Sequence, residues 1–346
     1  MINLLIAGVV GLMTTLVFTP LAIKRFRRRG WGQMIREEGP KAHYEKQGTP
    51  TMGGLVILTG TVFGYLLGHL GRGATPFRDS GVLALCTIVA LGLLGFVDDF
   101  IKIRKARNLG LQSRTKFIGQ LVIGLAFAFI AVEVVGIGTD LSFFRSTAID
   151  LGPFFFAWVF MMIAAASNGV NLTDGMDGLA VGSSAQVFGA FVVIAFWQFR
   201  HPGFYDLGAT GSDPFEIAIV AAALFGACAG FLWWNTAPAK IFMGDTGSLM
   251  LGGAMAVFAV LLNVQLLLVF LGGLYVVETL SVIMQVAVFK KTGKRIFLMA
   301  PIHHHFELAG WAEFTVIVRF WVLSGLSTAF GLGLFYADYI GKGGIP

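Results

Sequence analysis

The sequence contains little charge and almost no cysteine. Of its 346 residues, 13% are charged and two are cysteines. Cys86 and Cys228 lie inside apolar runs and lack the spacing of metal or disulfide sites, so we expect both to be small buried hydrophobic side chains. A soluble domain of this length could not bury a chain that is 56% hydrophobic with a mean hydropathy of +0.79. The composition therefore predicts a polytopic membrane protein.

Apolar segments long enough to cross about 30 Å of hydrocarbon occur ten times. They cover 2–23, 52–70, 81–97, 117–136, 152–167, 178–198, 216–234, 248–262, 265–289 and 315–338. The 46 glycines suit such a fold, because small residues let helix backbones approach closely in lipid. We therefore predict an all-α, polytopic integral membrane protein with ten transmembrane helices, forming a single domain over 1–346.

The basic residues are divided unequally between the predicted loops. If the N-terminus lies outside, the five inner loops carry 20 of the 25 Lys and Arg residues, and the outer loops and the C-terminus carry 5. Loops rich in Lys and Arg stay in the cytoplasm, so this pattern predicts both termini outside. The net charge of +6 then lies on the cytoplasmic face, where it would attract anionic lipids and substrates. We expect no nucleic-acid partner.

Unusual polar residues concentrate in these inner loops and at the helix ends beside them. The clusters lie at 43–54, 98–116, 168–178, 235–248 and 290–307. In the second cluster, Asp98 and Asp99 stand at the C-terminal end of an apolar run, where the helix dipole disfavours negative charge. Two adjacent carboxylates at such a place indicate a bound cation.

The acidic residues of two clusters also have a purely structural explanation. Asp98 and Asp99 could pair with Lys102 at i+4 and i+3 on a continuing helix, although one lysine cannot neutralise two carboxylates. Asp245 could be only the N-cap of a helix that starts near Thr246. Taken alone, the Asp245 pattern does not decide between a cap and a ligand.

The third and fifth clusters leave similar alternatives. Asp174 and Asp177 could be turn formers in a glycine-rich loop. The three consecutive histidines at 303–305 cannot all point one way on a helix or a strand, so a metal site made of this run alone is not expected. One or two imidazoles facing a phosphate are the functional interpretation, and a solvated polar turn is the structural one.

Glu278 is an acid within the apolar stretch 266–289. An ionisable residue inside a membrane helix is by default a candidate functional residue. Ser281 or Gln285, on the same helical face, could instead satisfy it with a structural hydrogen bond. We therefore leave Glu278 outside the predicted catalytic core.

Acids and bases together predict a particular kind of ligand. Carboxylates alone would hold a hard divalent cation such as Mg²⁺ through oxygen, and bases alone would hold a polyanion. Both on one face suit a metal–diphosphate complex, in which lysines compensate the remaining charge. The residues concerned are Asp98, Asp99, Asp174, Asp177, Asp245, Lys46, Lys102, Lys116 and His303 to His305.

These motifs resemble those of the polyprenyl-phosphate N-acetylhexosamine-1-phosphate transferase superfamily. The superfamily likeness rests on Asp98-Asp99-x-x-Lys102 and on the segments 171–178 and 242–248. The segments 48–54 and 300–308 resemble in particular the phospho-N-acetylmuramoyl-pentapeptide transferase family. The resemblance covers essentially the whole chain, with Met176 where the family pattern has leucine, a change that conserves volume.

The resemblance implies that undecaprenyl phosphate attacks the β-phosphorus of UDP-N-acetylmuramoyl-pentapeptide, giving lipid I and UMP with Mg²⁺ as cofactor. It implies Asp245 as the principal Mg²⁺ ligand, with Asp99 near the metal or the diphosphate. Asp98 would be the general base that prepares the lipid phosphate for in-line attack. A covalent phospho-enzyme with an aspartate nucleophile remains the alternative mechanism.

The same resemblance assigns the other polar residues to the substrates. It implies phosphate contacts by Lys102, Lys116, His303, His304 and His305. It implies a uridine pocket formed by Asp174, Gly175, Met176, Asp177 and Phe242, with the Phe242 ring stacked on the base. The rim of this pocket would be completed by Lys46, Thr51, Asn171 and Asn235.

The resemblance also implies partners and a location. The expected setting is the bacterial inner membrane, with cytoplasmic catalytic loops, a homodimer, and an apolar groove for the lipid tail where the ninth helix bends away. A sister transferase that uses UDP-N-acetylglucosamine is the alternative within the enzyme class. A carrier for a polyprenyl or nucleotide cargo is the alternative outside it, although carriers usually show internal repeats and a site at the membrane midplane.

Overall fold

The computed structural model describes residues 1–32, 46, 48–70, 76–105, 110–205 and 212–343. These residues form mainly helices, with one short hairpin. In chain order the elements are α1 (Ile2–Arg28), α2 (Gly54–Gly68), α3 (Asp79–Arg104), α4 (Ser113–Ile130) ending in a π-helical turn (Ala131–Val135), β1 (Asp140–Ser142), β2 (Ser146–Asp150), α5 (Phe154–Thr173), α6 (Leu179–Arg200), α7 (Pro202–Tyr205), α8 (Pro214–Asn235), α9 (Gly244–Leu261), α10 (Leu268–Leu271), α11 (Gly273–Thr292), α12 (Ile302–Leu308) and α13 (Glu313–Gly341).

The helices confirm an all-α polytopic membrane protein. Within the described ranges, nine helices are long and apolar enough to cross a membrane, and α2 is a shorter apolar helix of 15 residues. Together they match the ten predicted spans. In α9, 89% of the most apolar 18-residue stretch is buried inside the bundle, whereas in α11 the corresponding share is 22%. Helix α9 is therefore the central helix of the bundle, and α11 lies at its periphery.

Glycine allows the helices around α9 to approach one another closely. A methyl group at Gly95 of α3 would lie 2.1 Å from the backbone oxygen of Asp245, and one at Gly54 of α2 would lie 2.2 Å from the backbone nitrogen of Gly247. Both contacts are at the N-terminal end of α9. A side chain at either position would push α3 or α2 away from the residues that begin α9.

Several local features differ from the prediction. Helix α3 continues past residue 97 to Arg104, so Asp98 and Asp99 lie within the helix. The predicted span 265–289 is broken at Gly272 into α10 and α11, since an apolar run does not reveal where a helix bends. The expectation for Cys86 was wrong, because Cys86 is exposed on α3, whereas Cys228 is buried as predicted.

The end of the bundle opposite the N-terminus of α9 has polar contacts of its own. The hairpin β1–β2 was not predicted; Ser142 accepts hydrogen bonds there from the backbone nitrogens of Gln265 (to Oγ, 3.2 Å) and Leu266 (to the carbonyl, 2.9 Å). At the same end, the buried Glu216 of α8 accepts a hydrogen bond from the Tyr65 hydroxyl at 2.6 Å and lies 2.9 Å from His69 Nε2. These contacts tie the helix ends together far from the clusters described next.

Candidate active site

An acidic centre lies where the C-terminal end of α3 meets the N-terminal end of α9. Asp98 and Asp99 come from α3, and Asp245 comes from the first turn of α9. One ligand oxygen of each residue lies within 4.8 Å of the others. Asp98 and Asp99 are buried and Asp245 is half-buried. A cluster of carboxylate oxygens of this size matches the ligands that hard divalent cations prefer.

Asp99 holds the start of α9. Its Oδ2 atom accepts hydrogen bonds from the backbone nitrogen (2.9 Å) and the hydroxyl (2.7 Å) of Thr246, and its Oδ1 atom accepts one from the backbone nitrogen of Asp245 at 3.1 Å. These backbone donors belong to the first turn of a helix, where they have no intrahelical acceptor. Asp99 therefore acts as an N-cap supplied by another helix, and Asp245 does not cap its own helix.

Two lysines and an asparagine surround the Asp245 carboxylate. Lys116 Nζ lies 2.5 Å and Lys102 Nζ lies 3.0 Å from Oδ2 of Asp245, and Asn171 donates to Oδ1 at 2.9 Å. Lys102 also lies 2.6 Å from Oδ2 of Asp98. The pairing of Lys102 with Asp98 considered from the sequence is thus present. It is one part of a larger cluster, in which three carboxylates face two ammonium groups and retain a formal charge of −1.

The loop between α5 and α6 is held by a second charged network. Lys46 Nζ lies 2.8 Å from Oδ1 of Asp177 and 2.5 Å from Oε1 of Glu313, and the other Asp177 oxygen accepts a hydrogen bond from the Ala239 nitrogen at 2.8 Å. Burial lowers the pKa of Lys46, but Asp177 and Glu313 outweigh this effect and raise it above its ordinary value. Glu313 was not singled out in the sequence, where it looks like an ordinary acid in the first turn of a helix.

The neighbouring residues of this loop have different surroundings. Loss of solvent, and then the charges of Asp245, Asp99 and Asp177, raise the pKa of Asp174 well above its usual range. The Met176 side chain is buried in an apolar cluster with Leu179, Leu274, Val316, Ile317 and Phe320. Asp174 therefore faces the electrostatic field of the acidic centre, and Met176 anchors the loop.

The segment before α9 packs against the segment before α2. The backbone nitrogen of Phe242 donates to Pro50 O at 2.8 Å, and its carbonyl accepts from Gly53 at 2.9 Å. The ring of Phe242 is half-buried, while Thr51 beside it is buried. Asn235 is also buried, and its amide donates to Ile241 O at 2.9 Å. The predicted pocket residues therefore meet at one end of the bundle, with Asn235 closing a loop behind them.

The three histidines have three different environments, as their spacing on a helix predicts. The His303 ring is completely buried, and its Nδ1 lies 3.1 Å from Glu278. Nδ1 of His304 lies 3.0 Å from Glu307. Nδ1 of His305 accepts a hydrogen bond from the backbone nitrogen of Leu298 at 3.1 Å. His303 and His304 both contact the space beside Gly175, so they belong to the same site as the α5–α6 loop.

Every predicted site residue lies within the described ranges, and all of them belong to this one end of the bundle. Other residues of the predicted first and second clusters, including His43 and Arg107, lie outside the described residues. Glu278 was noted in the sequence for its burial, but its partner is His303 and not Ser281 or Gln285. Its proximity to a residue 25 positions away has no signal in the sequence.

Comparison with known proteins identifies a family for this arrangement. The model of glycosyl transferase family 4 matches residues 82–263, and signature 1 of the phospho-N-acetylmuramoyl-pentapeptide-transferases matches residues 46–58. A curated phospho-N-acetylmuramoyl-pentapeptide-transferase from Frankia alni is 56% identical over 99% of both chains. One from Saccharopolyspora erythraea is 51% identical over 98% of both chains, and one from Streptomyces griseus is 50% identical over 98% of this chain and 99% of its own.

Proposed function

The chain belongs to the phospho-N-acetylmuramoyl-pentapeptide transferases of glycosyl transferase family 4, and we propose that the acidic centre between α3 and α9 is where it carries out their reaction. It transfers phospho-N-acetylmuramoyl-pentapeptide from the UDP-linked donor to undecaprenyl phosphate. An oxygen of the lipid phosphate forms a bond to the β-phosphorus, the bond to the bridging oxygen breaks, and UMP leaves with that oxygen. The products are UMP and lipid I.

The observation that carries this assignment is the combination of carboxylates and lysines around Asp245. Two phosphate groups that approach each other repel by about 4 kcal/mol per pair of charges at 4 Å and an effective dielectric constant near 20. Lys102 and Lys116 already lie within 3.0 Å of the same carboxylate oxygen. Their ammonium groups can turn from Asp245 to phosphoryl oxygens, and so compensate charge where the two substrates meet.

The carboxylate set suits Mg²⁺ by its chemistry, because it offers oxygen donors and a surplus negative charge. Asp245 would be the principal ligand, since its partners are side chains that can move. Asp99 would contribute less directly, through Oδ1, because its Oδ2 accepts two hydrogen bonds from Thr246. A divalent cation held there would withdraw electron density from phosphoryl oxygens.

Asp98 is the proposed general base toward the lipid phosphate. Its Oδ1 atom accepts a hydrogen bond from the Leu111 nitrogen at 2.8 Å, and its Oδ2 atom faces Lys102. These contacts fix the carboxylate beside the lysine that would hold the phosphate. A covalent phospho-enzyme differs in one measurable respect, since it releases UMP from the donor when undecaprenyl phosphate is absent.

The nucleotide would lie against the α5–α6 loop and the segment before α9. Phe242 offers its ring to uracil, while Asp177 and Lys46 fix the loop through their ion pair. His303, His304 and Asn171 would face the diphosphate side, while His305 would stay attached to the segment before α12 through the Leu298 nitrogen. The remaining proposed pocket residues are Thr51, Asp174, Gly175, Met176 and Asn235.

The proposed setting of this reaction is supported by the family and by the helices. The chain is a multi-pass membrane protein. We assign it to the bacterial inner membrane, as a single transferase domain with its catalytic loops in the cytoplasm. A homodimer is the proposed assembly, by analogy with the family.

The test is UMP release by detergent-purified protein given the UDP-linked pentapeptide donor, undecaprenyl phosphate and Mg²⁺. We expect release that EDTA abolishes and that Asp98→Asn and Asp245→Asn reduce by at least about a hundredfold. Glu216→Gln is the matched control, because Glu216 is a buried carboxylate at the opposite end of the bundle. Full release by Asp245→Asn would contradict the metal assignment. Release only with UDP-N-acetylglucosamine would indicate the sister transferase, and release with neither donor would favour a carrier.

A further inference from the structure

Two carboxylates contact two consecutive histidines at the edge of the donor site, by which we mean the proposed binding site of the UDP-linked donor beside the α5–α6 loop. Oε2 of Glu278 lies 3.1 Å from Nδ1 of His303, and Oε2 of Glu307 lies 3.0 Å from Nδ1 of His304. The first pair joins the membrane helix α11 to α12, and the second lies within α12. In both pairs the carboxylate approaches the same ring nitrogen, which leaves Nε2 on the far side of the ring.

Glu278 has an unusual position for an acid. Its side chain and that of His303 are completely buried, so neither can turn to water. In the part of the chain that the structure describes, His303 is the one basic group within ion-pair distance of Glu278. The contact is short but not aligned as a hydrogen bond, since Nδ1 and both carboxylate oxygens lack a well-directed partner. A buried carboxylate without such a contact would be strongly destabilising.

Ser281 keeps these two residues together. Its hydroxyl donates to the backbone oxygen of Glu278 at 2.6 Å and accepts from the backbone nitrogen of Ile302 at 3.0 Å. The N-terminus of α12 is thereby attached to α11 one residue before His303. This attachment explains how Glu278, on a peripheral membrane helix, comes into contact with the ring of His303 in the short helix α12.

The third histidine, His305, has no carboxylate at Nδ1 among its hydrogen bonds and ion pairs in the described structure. Nδ1 of His305 accepts a hydrogen bond from the Leu298 nitrogen, so this nitrogen carries no proton. A carboxylate beside Nδ1 favours the opposite state, with a proton on Nδ1. The Nδ1 atoms of the three rings therefore have two kinds of neighbour, a backbone nitrogen at His305 and a carboxylate at His303 and His304.

The Nε2 atoms of His303 and His304 converge on one point. A methyl group at Gly175 would lie 2.5 Å from Nε2 of His303 and 3.1 Å from Nε2 of His304. Nε2 of His303 is buried and has no hydrogen-bond partner in the described structure. Leaving such a group unpaired is destabilising, because it loses its hydrogen bonds to water and gains none in the protein. An unpaired buried nitrogen that faces the α5–α6 loop points to a ligand that supplies its partner.

We propose that Glu278 is a positioning residue of the donor site: it holds the Nδ1 side of His303, as Glu307 holds that of His304, so that both rings direct Nε2 toward a phosphoryl oxygen of the nucleotide diphosphate beside Gly175. This inference rests on the proposed function. With Nδ1 protonated, an Nε2–H group facing a phosphate makes the ring an imidazolium, and the buried carboxylate is its counter-ion. Glu278 would thus act on the substrate only through His303.

The kinetic test compares Glu278→Leu, Glu278→Gln, His303→Gln and the double variant Glu278→Leu/His303→Gln in the UMP assay. Carboxylates that orient metal-bound histidines contribute roughly ten- to a hundredfold, so we expect a loss of that size in kcat/KM for Glu278→Leu. Glu278→Gln keeps an oxygen near Nδ1 and should recover part of the loss. The double variant should be no worse than His303→Gln alone, because both changes remove one function.

A spectroscopic test examines the rings themselves. The chain has six histidines, so ¹⁵N-histidine NMR of the full-length protein in nanodiscs can resolve their protonation states. We expect a proton on Nδ1 of His303 in the wild type, and a mixture of tautomers in Glu278→Leu, with His305 unchanged as the internal reference. Glu216→Gln, which alters the buried pair with His69, should change neither His303 nor the kinetics.

Three outcomes would overturn the proposal. They are activity of Glu278→Leu within twofold of the wild type, losses that multiply in the double variant, and a His303 tautomer that ignores the substitution. Failure of the proposed function has a different signature, since the wild type would then release no UMP while the histidine spectra would still report the two pairs.

Discussion

Three aspartates with the same functional group have different partners at the acidic centre. Asp99 accepts hydrogen bonds from two backbone nitrogens and a hydroxyl, whereas Asp245 faces two lysines and the Asn171 amide. Backbone donors at a helix start are fixed in place, but lysine side chains can rotate. A cation can therefore replace the lysines at Asp245, and a phosphate can draw those lysines away, far more easily than either could displace the backbone donors of Asp99.

The raised pKa of Asp174 should make the stability of the protein depend on pH. The pKa of this carboxyl is raised by loss of solvent and by the charges of Asp245 and Asp99, so the folded protein keeps its proton at a pH where the unfolded chain, with a pKa of about 3.9, has lost it. Below the unfolded-state pKa, this carboxyl does not lower the free energy of unfolding. As the pH rises from there toward the folded-state pKa, the lowering grows. We expect Asp174→Asn to be more stable relative to the wild type at pH 8 than at pH 5.

Thermal unfolding of both proteins in metal-free detergent at the two pH values measures this difference. Asp150→Asn is the exposed control, because hydrogen bonds from Thr139 and Gly152 lower the pKa of Asp150, and its effect should not grow between pH 5 and pH 8. A stability difference for Asp174→Asn that is constant with pH would contradict the shift.

At the level of elements, the junction between α3 and α9 determines the geometry of the site. The N-terminus of α9 is capped by a side chain from α3, and Gly95 allows α3 to come close enough for this contact. The left-handed backbone of Gly244, with φ of 74°, then turns the chain into α9. The cap, the close approach and the turn together bring Asp245 beside Asp98.

Removal of the cap should affect stability more than removal of the proposed ligand. Asp99→Ala leaves three donors of α9 without this acceptor, two of them buried and one partly buried; each buried group left unpaired costs about 1–3 kcal/mol before relaxation. Asp245→Ala removes a carboxylate from a crowded acidic cluster and leaves the cap intact. We expect a clearly lower unfolding temperature for Asp99→Ala than for Asp245→Ala, and loss of UMP release in both.

Thermal unfolding of the purified variants without divalent cations checks the comparison. Thr246→Val is the matched control, because it removes one of the three donors to Asp99 and should have a smaller effect than Asp99→Ala. Equal unfolding temperatures for Asp99→Ala and Asp245→Ala would show that the cap contributes little.

The whole molecule separates its two ends. The acidic centre, the α5–α6 loop and the histidines share one end of the bundle, while the hairpin and the Glu216 network occupy the other. Helix length enforces this separation: within α8, Glu216 and Asn235 are separated by a rise of about 28 Å at 1.5 Å per residue. The bundle is therefore a spacer that keeps all the proposed chemistry at one membrane surface.

The distribution of Lys and Arg predicts which surface this is. In a background of Cys86→Ser and Cys228→Ala, Lys290→Cys at the end of α11 should react with a membrane-impermeant maleimide only from the cytoplasmic side. Ser146→Cys in the exposed hairpin should react only from the outside, because the basic loops remain in the cytoplasm. Labelling of right-side-out and inverted vesicles measures both. The reverse pattern would place the proposed site outside and contradict the topology.

Much of this architecture could be predicted because each step depended on local chemistry. The ten spans follow from apolar length, and the concentration of acids and bases in alternate loops follows from counting residues along the chain. The division of roles among His303, His304 and His305 was also foreseeable in outline, because consecutive helical residues point in different directions. The resemblance implied a bend in the ninth helix, but neither the position of the break at Gly272 nor the hairpin after α4 was foreseeable, since neither changes the apolar pattern.

Hydrophobicity and charge along the chain are enough to predict a polytopic membrane protein with acids, bases and histidines in alternate loops, because both properties act residue by residue. Which of these groups meet depends on the folded bundle. Asp99 is a cap because α3 reaches the first turn of α9, 146 residues later, and Glu278 contacts His303 because Ser281 attaches α12 to α11. Contacts of this kind depend on how helices pack, and packing is a property of surfaces that are far apart in the chain.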